Sequence, residues 1–226
     1  MIIKTYSYRF AEEILSYPTL KSIKDELYDI CVKCPVPVYR GKSKTQRNKD
    51  VVQQIMNTYF RIKFEEYGWE SEPLATPDEN EDELRADFRK KFYTDDGKSI
   101  TIQIEVEFGN IASSYRNYFK FQLSYSYGLT DICVLVVPSQ QLANRIDSGV
   151  ACFEKCKREL VQAKLSVTVP TLVVGLFDRD DMGNLVDEWD IHCYDINVVK
   201  NKDNTVKNAH ENIVRNYIKG DIYETS

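Results

Sequence analysis

The sequence predicts an α/β fold in which a central mixed sheet is flanked by helices. Three observations carry that prediction. Residues 101–108 alternate strictly, with Ile102, Ile104, Val106 and Phe108 on one side and Thr101, Gln103, Glu105 and Glu107 on the other, the period of a strand with two unlike faces. Residues 132–137 form a continuous apolar run, as a strand covered on both sides requires. Residues 168–177 form another, separated from it by a helical pattern. Strand, helix and strand with short links imply a crossover between parallel strands.

The 226 residues are 42% apolar and 29% charged with a net charge of −5, the composition of a globular chain with a full core. One domain, 1–226, is expected: a helical N-terminal part at 10–67, a hairpin at 84–110, the crossover at 113–177 and a C-terminal extension at 178–226. Helices are expected at 10–17 and at 19–32, where Leu20, Ile23, Leu27 and Ile30 share a face. Another is expected at 50–67, through Val51, Ile55, Tyr59, Ile62 and Phe64. Residues 70–83, acidic and carrying Pro73 and Pro77, read as an exposed connection. The aromatic-rich stretch 113–127 reads as a helix packed on both sides rather than an open stacking platform, which would want exposed rings on a sheet or groove. Residues 150–164 read as a helix with Val150, Phe153, Leu160 and Val161 inward. Further on, 178–184 reads as an acidic loop, 189–199 as a strand and 205–218 as a closing helix.

No apolar run reaches the ~18 residues of a membrane span, and the start lacks a signal-peptide layout. A soluble, cytoplasmic protein with no membrane partner is expected. The six cysteines include Cys31-x-x-Cys34, half of a zinc spacing, but His192 and His210 lie far downstream. Reduced structural thiols are expected instead.

The hairpin carries the chemistry. Residues 84–93 and 99–108 flank Asp95-Asp96-Gly97, a three-residue loop with glycine in the left-handed position. That loop sets Thr94 opposite Lys98 and Asp87 opposite Glu105. Leu84, Ala86, Phe88 and Phe92 then join the isoleucines, with Lys90 as the exception, and Asp87, Glu105 and Glu107 gather on the other face. Glutamates two apart on a strand sit roughly 7 Å from each other and repel, so a compensating cation is called for. Mg²⁺ prefers such oxygen ligands. Asp87 and Glu105 are the expected metal ligands, and Glu107 is placed to orient or deprotonate a nucleophile. The layout is that of a metal-dependent phosphodiesterase.

The acidic pattern on the hairpin, the block Ile104-Glu105-Val106-Glu107-Phe108-Gly109, the pair Asp87-Phe88, and Asp147-Ser148-Gly149 ahead of a helix with Glu154 resemble the BglII/BstYI/BamHI-like group of PD-(D/E)XK type II restriction endonucleases. Residues 169–176 and Ala11-Glu12-Glu13-Ile14-Leu15 fit the same pattern, so the resemblance runs from about residue 10 to residue 177. It implies a PD-(D/E)XK restriction-endonuclease-like fold and a homodimer straddling double-stranded DNA. It also implies Mg²⁺-dependent hydrolysis at a short, palindromic, A·T-rich site. Two departures stand out. BglII-like enzymes carry Gln two residues after the Glu, whereas Glu107 follows the BamHI pattern. Family spacing would also choose Asp96 over Asp87, but Asp96 falls at the hairpin tip, which favours Asp87.

Sequence reading in such an enzyme belongs to loops at strand ends. Gln and Asn pair bidentately with adenine, so Gln140, Gln141 and Asn144 are the base-reading candidates, with Arg145 and Ser148 behind them. Between residues 32 and 49 every charge is basic. Arg40, Lys42, Lys44 and Arg47 are therefore candidates for contact with the DNA backbone or minor groove. Two other readings stay open: a structure-specific repair or junction nuclease of the same fold, and a non-catalytic DNA-binding protein whose acids are a solvated face.

Overall fold

A computed structural model describes residues 1–77, 84–94, 97–164, 166–201 and 207–220. Its centre is a six-stranded mixed sheet. Numbered along the chain, the strands are β1 (Ile2–Tyr8), β3 (Glu70–Ser71), β4 (Phe88–Tyr93), β5 (Ser99–Val106), β6 (Ile132–Pro138) and β7 (Thr171–Phe177). Across the sheet they lie in the order β1-β7-β6-β5-β4-β3. Strands β5, β6 and β7 are parallel, as the crossover pattern requires, and β1, β4 and β3 add antiparallel margins. A short parallel pair, β2 (Pro37–Val38) with β8 (Trp189–Asp190), stands apart.

Both faces are covered. Helices α1 (Ala11–Leu15), α2 (Lys21–Val32), α3 (Gln53–Glu66), α5 (Gln140–Ile146) and α8 (Lys207–Ile218) pack on one face, with the short α7 (Ile196–Val199) beside them. Helices α4 (Ile111–Ser126) and α6 (Phe153–Gln162) pack on the other. Alternation sorts β6 accordingly: Val134 and Val136 enter the first core, and Cys133, Leu135 and Val137 the second. Gly175 lets α6 lie close to β7, since a Cβ there would stand 2.7 Å from the Phe153 ring.

The hairpin takes the expected register. Phe88 faces Ile104 and Tyr93 faces Ser99, and the Thr94 N–H donates to the Lys98 carbonyl at 2.8 Å. Lys90, the misfit on the apolar side, sets its ammonium over the Phe92 and Trp69 rings and donates to Glu26 and to the Tyr67 carbonyl. A long basic side chain can cover apolar surface while its charge finds a partner at the margin. Asp96, the alternative acid, lies outside the described residues.

Several expectations need correction. Strand β1 went unread because its mixture of Ile, Lys, Thr and Tyr gives a poor alternation, as edge strands often do. The connection after α3 is not simply exposed. Pro73 and Ala75 are buried, and backbone bonds from Glu72 to Asp87 and from Ala75 to Leu84 hold it along β4 as a sixth strand and its continuation. Residues 189–199 are not one strand but β8, a turn and α7. Val161 faces solvent rather than the core. Helix α4 buries Tyr118 and Phe121 but exposes Tyr115, Phe119 and Tyr125, so it is packed on one side only. All six cysteines are free thiols, five of them buried. Among the described residues no helix is long and apolar enough to cross a membrane.

Candidate active site

The polar face of β5 does not meet solvent. Gln103 is 0% exposed and Glu105 1%, because α4 lies across it. Asn110 starts α4 by accepting the Ala112 N–H on its side chain at 2.9 Å. The helix then turns Asn117, Lys120 and Ser124, all buried, toward the sheet. Spacings of three and four residues put these polar groups on one helical face. Arg89 completes the layer, donating to Gln103 Oε1 at 2.8 Å and to Ser124 Oγ at 3.3 Å.

The three acids meet beneath this helix. Asp87 lies one residue beyond the last hairpin pair, where its Oδ2 accepts the Val106 N–H at 2.7 Å. Glu105 Oε2 accepts from the Lys120 ammonium, which also donates to the Arg85 carbonyl at 3.1 Å. Glu107 is pinned by its backbone, whose N–H donates to the Val136 carbonyl at 2.9 Å. Its carboxylate accepts the Gly109 N–H at 2.6 Å and the Asn117 amide at 3.1 Å.

Electrostatics bind the group together. Burial, reinforced by the Asp87 charge and opposed by Lys120, pushes the Glu105 carboxyl up to about 8. Burial also raises Asp87 and Glu107, and Lys120 pulls against the shift in both. One ammonium, bonded to Glu105 alone among the acids, cannot hold all three in the ordinary range. A carboxylate crowded by like charge in a dry site takes up a proton or requires another cation. Lys120 was missed in the sequence because nothing in an aromatic-rich helix marks one lysine as buried. Its position fifteen residues after Glu105, on the face of α4 turned to the sheet, is legible only once β5 and α4 are stacked.

The donor set fits a hard divalent cation. Every free ligand atom is a carboxylate oxygen, and Glu105 Oε1 is buried without a hydrogen-bond partner. The acids do not form the ready-made metal cluster that the sequence led us to expect, however. Among the described residues, no group of three or more His, Cys, Asp or Glu side chains is arranged to hold an ion. Lys120, Val106, Gly109 and Asn117 already occupy one oxygen or more on each acid.

Of the expected DNA contacts, Gln140, Gln141 and Asn144 lie exposed on α5, and Ser148 is exposed just beyond it. Arg145 is a correction. Its guanidinium turns inward to Asp50 at 2.9 and 3.0 Å, to Asp178 at 2.8 Å and to Glu188 at 2.7 Å, so its donors are committed to carboxylates and not to a base edge. Lys42 is another, since its ammonium donates to the Val51 and Ile146 carbonyls and ties the basic loop to α5. Lys44 and Arg47 are exposed, and Arg40, 72% exposed, lies 3.6 Å from Glu188.

Known proteins share this fold. The sequence model of the restriction endonuclease BglII/BglIII family matches residues 3–176. The type II restriction enzyme BamHI of Bacillus amyloliquefaciens is 25% identical over 159 residues, 64% of this chain and 70% of that protein. The crystal structure of restriction endonuclease BglII complexed with a DNA 16-mer superposes with a TM-score of 0.63 at 17% identity, over 80% of this chain and 78% of that one. Free BglII gives 0.52 at 16% identity, over 80% and 82%. The chain therefore belongs to the BglII/BglIII restriction endonuclease family and is a type II, site-specific deoxyribonuclease.

Proposed function

We propose that this chain hydrolyses phosphodiester bonds of double-stranded DNA at a short palindrome, with Mg²⁺ as its metal and Asp87, Glu105 and Glu107 as its catalytic acids. The observation that carries the reading is that burial raises all three acids on the face of β5 covered by α4, with only Glu105 paired to an ammonium, that of Lys120. Asp87 and Glu105 would hold the metal, aided by the unpartnered Oε1 of Glu105. When bound, such an ion polarises the phosphoryl oxygen and makes water a better nucleophile at neutral pH.

The protein's own groups do the rest. Glu107, held by Gly109 and Asn117, takes a proton from the attacking water as the new P–O bond forms and the bridging P–O bond breaks, and the displaced sugar oxygen takes a proton from solvent. Lys120 orients the Glu105 carboxyl and partly offsets the cost of its charge, without holding it ionised at neutral pH unless a further cation binds. Gln140, Gln141 and Asn144, close together on exposed α5, read adenine edges in an A·T-rich site, with Ser148 beside them. Arg40, Lys44 and Arg47 face the backbone or minor groove. A palindrome needs one active site per strand, so the working form is a homodimer. Exposed Tyr115 and Phe119 on α4 supply apolar surface that a second copy can cover.

Incubation with Mg²⁺ and a DNA of known sequence, followed by mapping of the ends, tests this reading. Discrete cuts at one palindrome are expected. Nicking that follows DNA structure rather than sequence would transfer the site to a repair or junction nuclease, and binding without any scission would leave a non-catalytic protein.

A further inference from the structure

Beyond the acid pocket, a cleft of about 670 Å³ opens between the loop at 41–49, the end of α5 and the segment around α7. Its lining carries four lysines, Lys42, Lys44, Lys49 and Lys200, against a single carboxylate, Asp147, and its other polar walls are mostly amides. Like charges gathered this way repel, and the repulsion is felt. Burial is the main cause that lowers the Lys42 ammonium to about 8, but Lys200 and Lys49 push the same way, against Asp147 and Asp50. Lys42 is held to backbone carbonyls, and Lys200 donates to the Lys42 carbonyl at 2.8 Å. Lys49 has no such anchor. The residue is 9% exposed and lines the cleft, and its side chain makes no hydrogen bond or ion pair with any described residue, which leaves its ammonium free to meet an anion in the cleft. Four ammonium groups against one carboxylate give the cleft a positive potential that favours an anion from outside.

We propose that this cleft is a phosphate site for the DNA backbone flanking the cut, with Lys49 and Lys200 among its lining residues. The proposal rests on the nuclease reading above and names a contact that the acid pocket does not make. Position favours a DNA phosphate over a free anion. Asp147 lines the cleft, and two residues later Gly149 accepts the Ile111 N–H at 2.8 Å, at the start of α4. Two Cα steps span at most about 7.6 Å, and Ile111 follows Glu107 by only four residues. Cleft and acid pocket are thus joined by a short path of chain, at most about 30 Å long. A duplex strand carries a phosphate every 3.4 Å of its axis, so one strand can reach both within about one helical turn.

Duplex binding by wild type, Lys49→Gln, Lys200→Gln and the double variant, followed by fluorescence anisotropy without divalent metal over 50–200 mM salt, tests the site. Each lysine lost is expected to lower the slope of log K against log salt by about 0.9. The loss should be equal for the cleaved sequence and a scrambled one. Because Lys200 comes from a different segment, beside α7, it decides the matter if Lys49→Gln fails to fold. Slopes equal to wild type in the folded variants overturn the proposal. So does a pyrophosphate-induced rise in melting temperature that Lys49→Gln abolishes while the DNA slope stays put, which marks a small-anion site. If wild type neither binds nor cuts any duplex, the nuclease reading falls with it. If wild type does both and only the variant slopes are unmoved, the cleft alone is wrong.

Discussion

The acid pocket under α4 and the cluster around Arg145 each bring three carboxylates near one cation, but only Arg145 contacts all three of its acids, and the two behave as opposites. Arg145 presents a planar fork whose Nε, Nη1 and Nη2 all reach oxygens of Asp50, Asp178 or Glu188 at 2.7–3.0 Å, and these contacts hold its guanidinium even above its usual range. Lys120 is a point charge divided between Glu105 and a carbonyl, and Glu105 beside it rises to about 8. Geometry decides, not charge count. A bidentate guanidinium completes a structural joint between the start of α3, α5 and the end of β7. A single ammonium leaves negative charge unanswered, in a place where a divalent ion can answer it.

The largest effect should come from removing the charge the metal needs. Glu105→Gln is expected to lower cleavage by about 10³-fold or more, the equivalent of roughly 4 kcal/mol of transition-state stabilisation. DNA affinity measured without metal should be little changed. Single-turnover cleavage beside anisotropy separates the two quantities. A variant that cuts within about tenfold of wild type would remove Glu105 from the reaction.

Taking the cation out of each cluster comes next. Arg145→Ala and Lys120→Met each leave buried acids uncompensated, and each should cost about 3 kcal/mol in urea unfolding. Millimolar Mg²⁺ should restore much of the loss in Lys120→Met and none of it in Arg145→Ala, because only the first pocket can exchange its ammonium for an ion. Equal rescue, or no rescue in either, would erase the distinction drawn between them.

This contrast also explains what the sequence could and could not say. The hairpin was legible because two signals agreed: alternation in 101–108 and a three-residue turn ending in Gly97 set one register, and that register brought Asp87 to Glu105. The parallel strands were legible as unbroken apolar runs. Arg145 and Lys42 looked like DNA contacts because a sequence shows a basic side chain in a polar stretch but not the partner it finds. Asp178 lies thirty-three residues from Arg145 and Asp50 ninety-five, so neither joint leaves a local trace. Lys120 and β1 failed for the same reason, one hidden in an aromatic helix and the other an edge strand whose partner, β7, comes at the far end of the crossover.

The smallest effect is one of pH and has a definite sign. Glu105 titrates near 8 in the folded chain and near 4.3 in an unfolded one, so the native state binds more protons throughout that window. Stability in the absence of metal must then fall as pH rises from about 5 to 8, and be flat below it. Asp87→Asn removes the nearest like charge and keeps an amide oxygen able to accept the Val106 N–H that Asp87 now takes at 2.7 Å. With that like charge gone the Glu105 shift is smaller, so the variant should be more stable than wild type near pH 8 and no different at pH 5. Melting temperatures in chelator from pH 5 to 9 give the comparison. Parallel curves would mean that Asp87 and Glu105 do not sense each other, and a pocket whose acids ignore one another has no need of a second cation.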